Sequence, residues 1–184
     1  MIIKDRFVLG VISGLTGNVV KMAVDEISLR QKISQRSFRT TAAGVWVSKK
    51  KEASSPLGQV LGGIFDFGFA SLGGVATVYF LSKTGRDHIL VKGATSGVVL
   101  GSFLSALLNV IPNNRVPPKD AASNLSYMLS HLLYGLTTTS VAAYLGHPSI
   151  YDTPPHNDYL APTEQTSEMR NKQKKQEEQY VSPH

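Results

Sequence analysis

The length of the uncharged stretches limits this chain more than any other feature. Between Lys92 and Arg115 lie 22 residues without a formal charge, and between Asp120 and Asp152 lie 31. Between Glu52 and Lys83 lie 30, interrupted by Asp66, and between Arg6 and Asp25 lie 18, interrupted by Lys21. A helix needs about 20 mostly apolar residues to cross roughly 30 Å of hydrocarbon. Four spans are therefore predicted, at about 7–28, 57–81, 90–111 and 124–146. Pro56 stands where a helix starts well, and Pro112 and Pro148 stand just past the ends of the third and fourth spans. A soluble bundle would show a polar face at the 3.6-residue period, whereas 93–111 and 125–145 show no charged face.

Small residues recur along these segments at helical spacing. Gly93, Gly97, Gly101 and Ser105 fall one turn apart in the third. Gly10, Gly14 and Gly17, with Ser13, do so in the first, and Gly58, Gly62, Ala70 and Gly74 in the second. Lipid tails are as apolar as Leu, so hydrophobicity cannot drive helices together in a bilayer; close backbone approach along a small-residue stripe can. The stripes predict tight helix packing, within the chain, with a second copy or with a partner membrane protein.

Composition narrows the class further. Nineteen basic residues against 13 acidic give a net charge of +6, but the charges sit in clusters that punctuate neutral stretches. That pattern does not suit a nucleic-acid binder, which groups Lys and Arg on one folded face with aromatics between. Cys is absent, which removes disulfides, thiolate nucleophiles and thiolate metal sites. No Walker loop, HExxH or nucleophile elbow is present, and the histidines outside the spans lack metal-ligand spacing. No enzyme, cofactor or metal is expected.

Lys4 and Arg6 precede an apolar run that resembles a signal peptide, but Lys21 spoils the cleavage site, so the segment is read as an uncleaved first helix. Residues 34–48 are predicted to form an interfacial helix capped by Ser34. Arg36, Arg39 and the Lys49, Lys50, Lys51 run would meet an anionic leaflet, with Trp46 at headgroup depth. Residues 1–151 thus form the membrane domain. Residues 152–184 are rich in Pro, Gln, Lys and Glu and are expected to be a disordered soluble tail, with a solvated helix over 164–179.

Ionisable groups at membrane depth mark candidate functional sites. Asp66 lies about nine residues into the second span, roughly 13 Å at 1.5 Å per residue. Lys21 lies toward the same side on the first span, with Asn18 one turn away on its face, and His131 lies in the fourth. Either they form a proton relay or small-solute site, or they pair and hydrogen-bond to lock helices; Lys21 could also meet Asp25 at i,i+4 or snorkel. Asp66 precedes Tyr79, and His131 precedes Tyr144, by the same interval, which suggests a parallel duplication of a helical hairpin.

Four spans put both termini on one side. Near the spans, nine basic residues on the side of loops 1–2 and 3–4 face five on the other; the positive-inside rule then leans toward outward termini, the charged tail leans the other way, and orientation stays open.

The segments KDRFVLGVISGLTGNVVK, SPLGQVLGGIFDF, TGRDHILVKG and NLSYMLSHLLYG, followed by YLGHPS, resemble a group of uncharacterised small four-helix integral membrane proteins of Firmicutes bacteria. The likeness covers about residues 4–150. It implies a four-helix membrane fold in a bacterial cytoplasmic membrane and carries no catalytic residues. Two functions follow as expectations: an interaction, scaffold or accessory subunit assembled through the Gly-striped helices, or a small transporter, channel or proton-relay subunit using Asp66 and His131.

Overall fold

A computed structural model describes residues 2–151, 174–176 and 178. The protein is all-helical. Four long helices, α1 (Arg6–Arg30), α4 (Pro56–Thr84), α5 (Ile89–Val110) and α6 (Ala121–Leu145), form a bundle. Two short helices, α2 (Phe38–Ala43) and α3 (Lys50–Ala53), close one end of it, here the capped end, and a 3-10 turn, Pro148–Tyr151, follows α6. Among the described residues the sole strand-like pairing is an isolated bridge between Ile3 and Gly146.

The helix starts follow from the sequence. Asp5, Ser55 and Asp120 each accept a backbone N–H from the first turn of α1, α4 and α6, and Pro56 opens α4. Gly85 ends α4 at φ 80°, and Lys92 reaches back to the carbonyls of Thr84 and Gly85 and to Asp87 at 2.6 Å, fixing the turn into α5. Burial pushes the Asp87 carboxyl up, but the Lys92 ammonium more than offsets this and holds it below its usual range.

The helices α1, α4 and α5 are long and apolar enough to cross a membrane. The fourth, α6, matches α1 at 25 residues but is richer in hydroxyls. Those hydroxyls point inward: Ser123, Ser126, Ser130, Thr138 and Thr139 are all buried. Large apolar side chains point outward instead, among them Phe7, Val19, Ile64, Leu72, Val99, Phe103, Leu129 and Tyr144. Lys21, Asp25, Asp66 and His131 lie inside. This is the reverse of the usual surface of a water-soluble monomer.

The glycine stripes are consumed within the chain. A Cβ on Gly14 would strike the Ala70 carbonyl, and one on Gly74 would strike the carbonyl of Gly10. A Cβ on Gly97 would strike the His131 carbonyl, and one on Gly135 the carbonyl of Gly93. Gly58 and Gly62 face no long helix: they make room for α3 and α2, against the backbones of Ala53 and Arg39. Ser105 is buried on α5 in line with its glycines.

These contacts define a repeat. Gly10 and Gly14 on α1 meet Gly74 and Ala70 on α4 as Gly93 and Gly97 on α5 meet Gly135 and His131 on α6. Ser13 donates to Gly10 and Ser96 to Gly93, both at 3.1 Å. The duplication suggested by the sequence is therefore present in the packing, but its register is one turn away: Ala70, not Asp66, corresponds to His131. The interval to Tyr79 and Tyr144 misled because both side chains face outward and do not set the packing.

The interfacial helix expected over 34–48 needs correction. The helix spans only Phe38–Ala43, capped by Ser37 rather than Ser34, and five of its six residues are buried. It packs across the bundle mouth, because Phe38 inserts between α1 and α6 and Gly62 admits its backbone. The tail expected over 152–184 lies outside the described residues apart from 174–176 and 178, which are helical and exposed.

Replacing Gly97 by Val should separate α5 from α6 and cost about 1–3 kcal/mol, the usual range for overpacking. Gly68, with open space around it, should accept Ala within about 0.5 kcal/mol. Thermal unfolding of the two variants in detergent, side by side, checks this.

Candidate functional site

Three helices each present one polar stripe to the interior. On α1 it runs Asn18, Lys21, Asp25. On α4 Asp66 sits in the row of Gly58, Gly62, Ala70 and Gly74. On α6 it runs Tyr127, His131, Tyr134, Thr138. Spacings of three and four residues put each set on one face.

Lys21 and Asp66 meet at the centre. The Lys21 Nζ donates to both Asp66 carboxylate oxygens, at 2.6 and 2.8 Å, and to the Asn18 Oδ1 at 3.3 Å. Both ionic side chains are buried, at 3 % and 4 % exposure. The Phe38 ring lies under the ammonium, 4.7 Å from its centroid. Of the roles open to Lys21 from the sequence, the structure selects the ion pair with Asp66; it makes no ion pair with Asp25 and does not reach the surface.

Asp25 serves α2 instead. Its Oδ2 accepts the Phe38 backbone N–H at 2.7 Å, and its Oδ1 is buried without a partner. His131 Nδ1 lies 2.7 Å from the Tyr127 carbonyl. A carbonyl only accepts, so Nδ1 carries the hydrogen of the neutral ring and Nε2 presents a bare lone pair. That Nε2 has no protein partner. Gly101 makes the room for this ring: a Cβ there would lie 2.7 Å from the His131 Cβ. Tyr134 donates to the Ala70 carbonyl at 2.7 Å.

Asn18, Lys21, Asp66, His131 and Tyr134 line one cavity of about 10 Å³ together with side chains of α4 and α5. That is about the room one water-sized group needs. The structure thus brings together all four intramembrane candidates. It adds Tyr134, Asp25 and Phe38. Asp25 was legible as the next member of the α1 stripe; Phe38 had no signal, since only the fold of the 31–37 connection carries it inward. Among the described residues no group of three His, Cys, Asp or Glu could hold a metal ion.

The surface candidates gather at the capped end. Arg36 is half-buried, with Nη1 3.4 Å from the Pro117 carbonyl. Arg39 is half-buried on α2. Trp46 is exposed and packs on the Phe65 ring at 4.8 Å, and Lys49, Lys50 and Lys51 are exposed around α3.

Comparison with protein-family models, with curated proteins and with solved structures gave no match.

Removing one partner of a buried pair strands the other, at a typical cost of about 3–5 kcal/mol, whereas an apolar replacement of both is often neutral. Lys21→Met and Asp66→Leu should each lower unfolding stability in detergent by about that much. The double variant should recover most of the loss.

Proposed function

We propose that this chain is a four-span protein of a bacterial cytoplasmic membrane, with α6 as the fourth span, and that the Lys21–Asp66–His131 cluster is the working site of a small transporter or proton-relay subunit. The observation that carries the reading is the convergence of ionisable side chains from three helices on one buried cavity, with polar atoms left unpartnered. Interior charge in a membrane bundle is costly and marks a working site by default.

The cluster is asymmetric along the bundle. Toward the capped end lie further buried polar atoms without partners, on Asp25, Ser34, Ser105 and Ser126, against Thr138 toward the other end among the described residues. Toward the opposite end the interior is plugged by Ile3, Leu9, Val78, Leu81, Ala142, Ile150 and Tyr151. This supports exchange with water from the capped end, past α2. The basic residues gathered there favour placing that end in the cytoplasm and both termini outside.

The relay reading is preferred to a scaffold because the glycine stripes pack against the chain's own helices. Gly63 and Gly68 on α4 keep open space.

The test uses Asp66→Asn and His131→Gln in reconstituted vesicles, with membrane insertion and oligomeric state measured beside proton flux. Wild-type flux that both variants lose while still inserting and assembling is the expected result. Absence of flux in an intact wild-type assembly returns the chain to the scaffold class. Failure of both variants to insert or assemble makes the cluster a structural lock.

A further inference from the structure

The repeat is broken at one interface. By its symmetry, the packing of α1 on α6 should be matched by packing of α5 on α4. The first contact is extensive, whereas α4 and α5 barely touch. The residues explain why. On α1, Gly17 lets the backbone close on Tyr134 and Thr138 of α6. The equivalent of Gly17 on α5 is Leu100, and the equivalents of Tyr134 and Thr138 on α4 are Gly73 and Thr77. Leu100 props the second interface open.

The result is a cleft of about 290 Å³ between α4 and α5, lined by Gly73, Ala76, Phe80, Ser96, Val99 and Phe103 among others. It is almost entirely apolar and opens sideways, between two helices apolar enough to cross a membrane. Its floor is Leu100 and Tyr134, and both also line the cavity of the Lys21–Asp66 pair. The two spaces share a wall.

We infer that this cleft is a lateral portal for a membrane-dissolved lipophile bearing a hydroxyl, the chemical class of long-chain and isoprenoid alcohols. The hydrocarbon body lies in the cleft, and the hydroxyl donates to His131 Nε2. Three features of the structure select that class. The route is bordered by lipid-facing residues, so the occupant arrives from hydrocarbon. The polar end, at about 10 Å³, admits a group the size of a hydroxyl and excludes a phosphate headgroup. The waiting atom is a lone pair on a side chain 1 % exposed, so the head must donate a hydrogen bond. Entry of the hydroxyl past this wall requires the Leu100 and Tyr134 side chains to turn aside, Tyr134 giving up its bond to the Ala70 carbonyl. The inference rests on the four-span reading above, and not on proton flux.

The test is photolabelling of the full chain in phosphatidylcholine vesicles, with a diazirine-bearing long-chain alcohol and the matching diazirine alkane, the labelled residues being mapped by mass spectrometry. Alkaline extraction of the same vesicles reports insertion separately, so failure of the four-span reading shows as a chain washed off the membrane. In inserted protein the alcohol should label the cleft residues about tenfold more than the alkane, the factor that goes with one buried hydrogen bond. Ala76→Phe, which blocks the cleft from its outer edge without touching the polar cluster, should abolish the difference. His131→Leu should reduce the alcohol to the alkane level. Equal labelling by the two probes, labelling spread over outward residues such as Leu129 and Leu72, cleft labelling unchanged in Ala76→Phe, or a cleft found crosslinked to a second copy would each overturn the inference.

Discussion

Direct backbone contact between helices at glycine is the constraint on which the rest of this molecule depends. At Gly14 against Ala70, Gly74 against Gly10, Gly97 against His131 and Gly135 against Gly93, no space remains for a methyl group. In a bilayer, burying apolar area against a neighbouring helix gains little, and dispersion between closely placed backbones has to hold helices together. Each glycine weakens its own helix by about 0.5–1 kcal/mol relative to Ala. The chain accepts that loss because two helix pairs, α1 with α4 and α5 with α6, cannot form otherwise. The alignment of Lys21 with Asp66, and the room for the His131 ring beside Gly101, both follow from how close those pairs come.

The polar interior is a consequence of the same packing. With the outward faces apolar and the inward faces small, the polar groups of the long helices collect in the middle. A Lys–Asp pair there costs desolvation that its Coulomb attraction repays only with good geometry. The bidentate contact at 2.6 and 2.8 Å, the Asn18 oxygen and the Phe38 ring supply it. Asp25 extends the arrangement to α2, since its carboxylate holds the Phe38 backbone N–H while the Phe38 ring covers Lys21 and stands edge-on to His131, 4.9 Å between centroids. The short helix over the bundle mouth and the buried ion pair are therefore one unit, and displacement of α2 would expose the ammonium.

Much of this was legible in the sequence because it rests on local rules. Helix positions follow from uncharged length and from Asp5, Ser55, Pro56 and Asp120 at the starts. The inward face of α1 follows from spacing, and the polar residues singled out within the long helices, Asn18, Lys21, Asp66 and His131, do converge. What escaped depends on which helix lies beside which. The stripes gave no sign of whether they face the chain itself or another chain, because a glycine looks the same in either setting. The burial of α2 escaped because an amphipathic segment and a plug have similar composition; its contacts with Gly62, Asp25 and Tyr127 come from the tertiary fold. The register of the repeat escaped because the outward tyrosines share a spacing that the inward glycines, which set the contact, do not follow.

The broken symmetry carries the most information about function. A duplicated hairpin packed with full two-fold symmetry would seal its polar centre on all sides, which suits stability and nothing else. Here one half has Gly17 and closes, while the other has Leu100 and stays open. Tyr134, the residue that Gly17 admits on one side, forms the floor of the cleft that Leu100 holds open on the other. Keeping α4 and α5 apart forfeits dispersion contacts along the open seam. Nothing in the packing of the other three seams requires that loss: Gly73 already supplies on α4 the small residue that close approach would need. The unmade interface adds nothing to the fold although half of its small-residue surface is present, and it is the feature on which the proposed lateral portal rests.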